Sequence, residues 1–181
     1  MDKLVDGNVF LFGNNVEITG QVNGNLFVFA NKVNFNKSYV RYAIYACATS
    51  VKYDGACNDL YVATTDLEMT YDSYVVRDLK ALSATSVIKA AVGRDVDLIG
   101  TNVNLGEGEN IPVIYGDLRY SAIKELEIPE GVITESGSVT YTSPYAINSE
   151  NIIFSITDIV IGFITAIVTA LVIYIILKKS T

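Results

Sequence analysis

Histidine and tryptophan are missing from these 181 residues, and the chain holds only three prolines, two cysteines and two methionines. Without histidine the chain lacks the side chain that most often serves as a general base near neutral pH. It also carries no phosphate-cradling G-x-x-x-x-G-K run, no H-E-x-x-H and no C-x-x-C. Basic residues are scarce as well, 13 Lys and Arg against 20 Asp and Glu for a net charge of −7, and apart from Lys178-Lys179 they are scattered singly. Nucleic-acid binding, which needs a basic face, is therefore not expected. Cys47 and Cys57 have neither metal-ligand spacing nor a histidine near them; a disulfide is unforced, and two small core or turn thiols are the plainer reading.

What the chain does have is a cycle of roughly 17 residues. A short polar pair introduces an alternating apolar stretch seven times: Gly7-Asn8, Gly24-Asn25, Tyr42-Ala43, Asn58-Asp59, Arg77-Asp78, Arg94-Asp95 and Gly116-Asp117. The first apolar residues after these pairs, Val9, Leu26, Ile44, Leu60, Leu79, Val96 and Leu118, are spaced by 17, 18, 16, 19, 17 and 22. A second apolar pair follows in each cycle, as in Val33 and Phe35 or Leu67 and Met69, with Val87 and Ile88 an imperfect copy in the fifth. Helical repeats need more than about 30 residues per unit, whereas short strands and turns fit in 16 to 20. Because the apolar residues alternate at period 2, the expected fold is all-β, a β-helix of about seven coils stacked roughly 4.8 Å apart. One coil cannot bury its own inner face, so stability comes from its neighbours.

The phase of the alternation assigns inside and outside. With Leu26, Val28 and Ala30 inward, Phe27 and Phe29 point outward, and so do Phe10, Phe12, Tyr45, Cys47 and Tyr61, while later coils place Lys80, Asp97 and Arg119 at the first outward position. The first four coils thus carry an apolar stripe, of the kind that marks a partner, a neighbouring rod or a membrane surface. A covering loop, or a phase wrong by one residue, would remove it. A second ladder, Asn8, Asn25, Ala43, Asp59, Asp78, Asp95 and Asp117, runs at the turns, with Arg77 and Arg94 beside it. Stacked carboxylates repel unless neutralised, so this ladder is either a cation site or ordinary turn chemistry in which Asn and Asp bond their own backbone. No cofactor or metal is implied by any other group.

From Ile152 to Leu177 the chain is apolar apart from Asp158, and Lys178 and Lys179 close the run. At 1.5 Å per residue a helix here reaches about 39 Å, enough to cross a bilayer with tilt. The organisation expected is a β-helix over residues 1–143, a linker over 144–151, a transmembrane helix over 152–177 and a short basic tail over 178–181. The lysines favour a cytoplasmic tail and an extracytoplasmic solenoid at the bacterial cell membrane. The absence of an export signal after Met1 points either to a start lying upstream or to a tail-anchored protein with a cytoplasmic solenoid. Asp158 is placed near the interface, snorkelling or making a polar helix contact.

Several of these features together resemble one family. The G-[ND]-[LV] cycles, the run Val22 to Ala30, the step Val92-Gly93-Arg94-Asp95-Val96, and the late Gly116-Asp117-Leu118 with Ile128-Pro129-Glu130-Gly131-Val132 are similar to bactofilin-type polymer-forming proteins, in particular the membrane-attached branch of Firmicutes. The resemblance covers about Val5 to Tyr141 and implies a right-handed β-helix with a non-enzymatic, self-associating scaffold role. Enzymatic readings have less to stand on. Left-handed β-helix acyltransferases need a catalytic histidine, and polysaccharide-acting β-helix enzymes need clustered acids in a groove of long loops, for which Asp78, Asp95, Arg77 and Arg94 are the sole constellation. The remaining alternative is a monomeric, membrane-tethered recognition domain that binds cell-wall glycan or another ligand.

Overall fold

Short strands recur with the period of the sequence cycle. The computed structural model describes residues 4–106 and 111–144, together with Ile161. Its strands are β1 (Leu4–Asp6), β2 (Val9–Ile18), β3 (Gln21–Asn23), β4 (Leu26–Phe35), β5 (Ser38–Tyr53), β6 (Gly55–Met69), β7 (Tyr74–Val75), β8 (Leu79–Ile88), β9 (Ala91–Val92), β10 (Val96–Asn104), β11 (Leu118–Ser121) and β12 (Val139–Tyr141). Every strand pairs in parallel with the equivalent strand of the next coil: β2 with β4, β4 with β5, β5 with β6, β6 with β8, β8 with β10, β10 with β11 and β11 with β12. The protein is a β-solenoid of about eight coils. The eighth, entered through Ile133 and completed by β12, is one more than the sequence cycle predicts. Ser138 stands there where every earlier coil but the third has Asn or Asp, which hides it from a search for that pair.

The inward phase is the predicted one. Leu26, Val28, Ile44, Ala46, Leu60 and Val62 are fully buried, and each inward residue lies over its counterpart one coil away. Alternation then slips by one at a corner, so that after Val28 the next fully buried pair is Val33 and Phe35. A third inward column, Val22, Val40, Cys57, Val75, Val92 and Ile114, comes from the short strands that begin each coil. The fifth coil departs from the expected pattern: Ser86 and Ile88 face inward, and Val87 does not. The Ser86 hydroxyl shares a hydrogen bond with that of Ser83, so two core hydroxyls satisfy each other.

Close stacking also explains the glycine of the repeated pair. A Cβ at Gly24 would run into the Gly7 carbonyl, and one at Gly116 into the Arg94 backbone. At these two corners glycine lets the backbone of one coil descend closely onto the last. In the third coil a register shift between Val40 and Ala43 bulges Arg41 and Tyr42 outward.

The linker beyond Pro144, the apolar run at 152–177 apart from Ile161, Asp158, and the lysines at 178 and 179 lie outside the described residues. Among the described residues no helix is long and apolar enough to cross a membrane.

Candidate functional site

The turn ladder is built from side chains that reach to the next coil. Asn8 Oδ1 accepts the Asn25 backbone N–H at 2.9 Å, and Asn25 Oδ1 accepts that of Ala43 at 3.1 Å. After the break at Ala43 the ladder resumes: Asp59, Asp78, Asp95 and Asp117 accept the amides of Asp78, Asp95, Asp117 and Ser138 at 3.4, 3.4, 3.1 and 3.0 Å. This corrects the sequence reading in one respect, since each side chain bonds the backbone one coil on and not its own turn. A solenoid brings that amide within reach of a short side chain, and the bond satisfies a donor the corner would otherwise leave open.

Arginines neutralise the same ladder with the same one-coil offset. Arg77 clamps the buried Asp59 through both carboxylate oxygens, Nε to Oδ1 at 3.1 Å and Nη2 to Oδ2. Arg94 clamps Asp78 in the same way, with Nε to Oδ1 at 3.0 Å. Arg119, which the sequence placed on the outer face, reaches Asp97 at 2.7 Å, Asp95 at 3.0 Å and Asp117 at 3.5 Å. Arg77 and Arg94 thus each serve a carboxylate of the preceding coil, Asp59 and Asp78. Burial pushes the Asp95 carboxyl up, but the Asp117 amide and the Arg119 guanidinium outweigh it and hold the group below the ordinary carboxylate range. A general acid at neutral pH needs the opposite shift. Among the described residues no group of three His, Cys, Asp or Glu is arranged to hold a metal ion.

On the outer face of the longer strands the aromatic stripe is present as continuous stacking. Phe10 and Phe27 lie 4.7 Å apart with planes 8° from parallel; Phe27 and Tyr45, and Tyr45 and Tyr61, follow at 4.9 Å and 7°. Phe12 and Phe29 form a second stack at 5.2 Å, continued by Cys47. The column then turns charged, Lys80, Asp97 and Arg119, joined by ion pairs of 3.2 and 2.7 Å. In-register parallel pairing dictates this geometry: identical phases place ring above ring at the coil spacing. The stripe is only partly solvent-facing. Phe12 is 66% exposed, but Phe27, sandwiched between two rings, is 6% exposed. Tyr61 is pushed up to about 12, chiefly by burial and then by the nearby Asp59 charge.

Both cysteines are free. Cys57 faces the core, where the Tyr53 hydroxyl donates to its Sγ at 3.2 Å, while Cys47 is half-buried on the outer face. The sequence reading passed over a further group of exposed aromatics on the short-strand face, Tyr39, Tyr74 and Tyr115. Strands of two or three residues show too little alternation to assign an outer face, although the buried neighbours Val40, Val75 and Ile114 do so at once.

No protein-family model matches the chain, and neither a curated protein nor a solved structure matches it significantly.

Proposed function

We propose that this protein is a non-enzymatic, membrane-anchored scaffold of bactofilin type, whose solenoid associates with further copies through its terminal coils. The carrying observation is the state of the first coil. Leu4, Val5 and Phe12 are exposed there, and Leu11, at a position that is fully buried in the second and third coils as Val28 and Ala46, is only partly covered. Among the described residues β2 pairs with β4 alone, leaving its other edge as a row of donors and acceptors. Another coil of the same kind is the surface most complementary to this one in hydrogen bonding, apolar area and ring stacking.

In this reading the solenoid winds right-handedly, as the resemblance to bactofilin-type proteins implies. The run at 152–177 crosses the membrane with Lys178 and Lys179 in the cytoplasm and the solenoid outside. The inter-coil ladders stiffen the rod, and the Asp and Arg pairs serve its stability. Two readouts of the full chain in bacterial membranes test this. After an alkaline carbonate wash it is expected to stay in the pellet, and native gels of the detergent extract are expected to show oligomers. Release by the wash contradicts the anchor, and a purely monomeric extract contradicts the scaffold.

A further inference from the structure

The two aromatic faces of the rod differ in what they offer a ligand. On the long-strand face the rings are stacked on one another, so their faces are used and mainly their edges remain. On the short-strand face large and small residues alternate along the axis: Tyr39 pairs with Ala56, Ala56 with Tyr74, and Tyr74 with Ala91. Tyr39 and Tyr74 are therefore two coils apart, about 10 Å, with only a methyl group between them. The Tyr74 hydroxyl reaches over to the Gly93 backbone, so its ring leans along the rod across the next coil instead of standing away from it. Tyr115 lies two coils further on, in the adjacent outward column that also holds Val76 and Gly93. The three tyrosines are 47%, 38% and 53% exposed, and among the described residues none of them stacks on another ring.

We infer that this face is a binding platform for an extended, uncharged polysaccharide with β-1,4-linked rings. An aromatic face carries negative π density and attracts the C–H groups of a sugar ring, while the tyrosine hydroxyls and neighbouring polar groups supply hydrogen bonds. A spacing of two coils matches alternate rings of an extended β-linked chain, so successive tyrosines meet the same face of every second sugar. Arg41, held by Asn23 at 2.8 Å, and the half-buried Asn58 stand in the outward column beside Tyr39 and Ala56, where they can donate to sugar hydroxyls. The net charge of −7 opposes binding of acidic polysaccharides. This inference does not depend on self-association, since the platform lies along the side of the rod and not at its ends.

The test is titration calorimetry on the full chain in a detergent that has no sugar headgroup. The probes are hexasaccharides of β-1,4-linked N-acetylglucosamine and of β-1,4-linked glucose, each compared with its disaccharide. At least one hexasaccharide is expected to bind saturably, and its disaccharide, which spans a single ring site, at least about tenfold more weakly. Tyr39→Ala and Tyr74→Ala are each expected to weaken the hexasaccharide about tenfold, whereas Tyr74→Phe keeps the ring and stays near the unaltered affinity. The two alanine variants act at separate coils, so a folding defect in one, detected by its melting temperature, leaves the other to decide. No binding of either hexasaccharide at millimolar concentration overturns the inference. So does binding unaffected by the folded alanine variants, or equal loss in Tyr74→Phe and Tyr74→Ala.

Discussion

Asp95 Oδ1 accepts the backbone N–H of Asp117 at 3.1 Å while Arg119 holds the other carboxylate oxygen at 3.0 Å, so one side chain ties two consecutive coils together. The folded carboxyl lies below its ordinary value, burial being outweighed by that amide and that guanidinium. A depressed folded pKa contributes stability above the unfolded value of about 3.9 and loses it as pH falls through the folded one. Asp95→Asn keeps an oxygen for the Asp117 amide, as Asn8 and Asn25 do for theirs, but gives up the Arg119 attraction. The variant is expected to melt lower than the parent at pH 7, with the deficit shrinking toward pH 3. A deficit independent of pH would show that the ion pair contributes nothing.

Asp59 is the least exposed carboxylate of these ion pairs, and its partner Arg77 is half-exposed. Arg77→Ala leaves a buried carboxylate with one long amide contact, and is expected to cost about 2 kcal/mol in urea denaturation. Adding Asp59→Asn to Arg77→Ala should recover much of the loss, because a neutral side chain no longer needs the cation. An additive double variant would contradict the pairing.

Leu60→Ala removes a fully buried residue of the fourth coil and is expected to cost about 3 kcal/mol. Phe27→Ser should also destabilise, because Phe27 is held between Phe10 and Tyr45. Phe12→Ser lies at the exposed end of its stack and should change stability by less than about 0.5 kcal/mol. Phe12 is thus the position at which association can be perturbed without loss of folding. A melt that ranks Phe12→Ser with Leu60→Ala would place Phe12 in the core.

Burial, the largest influence, pushes the Cys57 thiol up to about 12, against a smaller opposing effect of the Tyr53 hydrogen bond. The thiolate is the reactive form, so Cys57 should be silent to a thiol reagent at pH 8 in the folded protein and react only on unfolding. Cys47, half-buried on the outer face, should react first. Two thiols reacting at equal rates in the folded chain would contradict the inward placement of Cys57.

Much of the fold is legible because a parallel solenoid writes its geometry into the sequence. Leu26-x-Val28 fixes the inward phase, and in-register stacking then sets that of every other coil. The eighth coil escapes because Ser138 replaces the Asn or Asp of the motif, although its amide and hydroxyl both bond Asp117. The ladder residues are readable and their partners are not: turn chemistry is local along a chain, whereas here the nearest unsatisfied amide lies 17 to 22 residues away. Ser86 in place of Val87 is invisible for a similar reason, since its burial depends on the hydroxyl of Ser83. The stripe of Phe10, Phe27, Tyr45 and Tyr61 is predicted by phase alone, but the near-complete burial of Phe27 follows from stacking that only coordinates display.

The most direct test of the scaffold reading is sedimentation with negative-stain microscopy of the full chain in detergent, compared with Phe12→Glu. A concentration-dependent series of end-to-end oligomers or filaments is expected, reduced by Phe12→Glu at unchanged melting temperature. A monomer at every concentration, or assemblies indifferent to that substitution, would contradict association through the first coil.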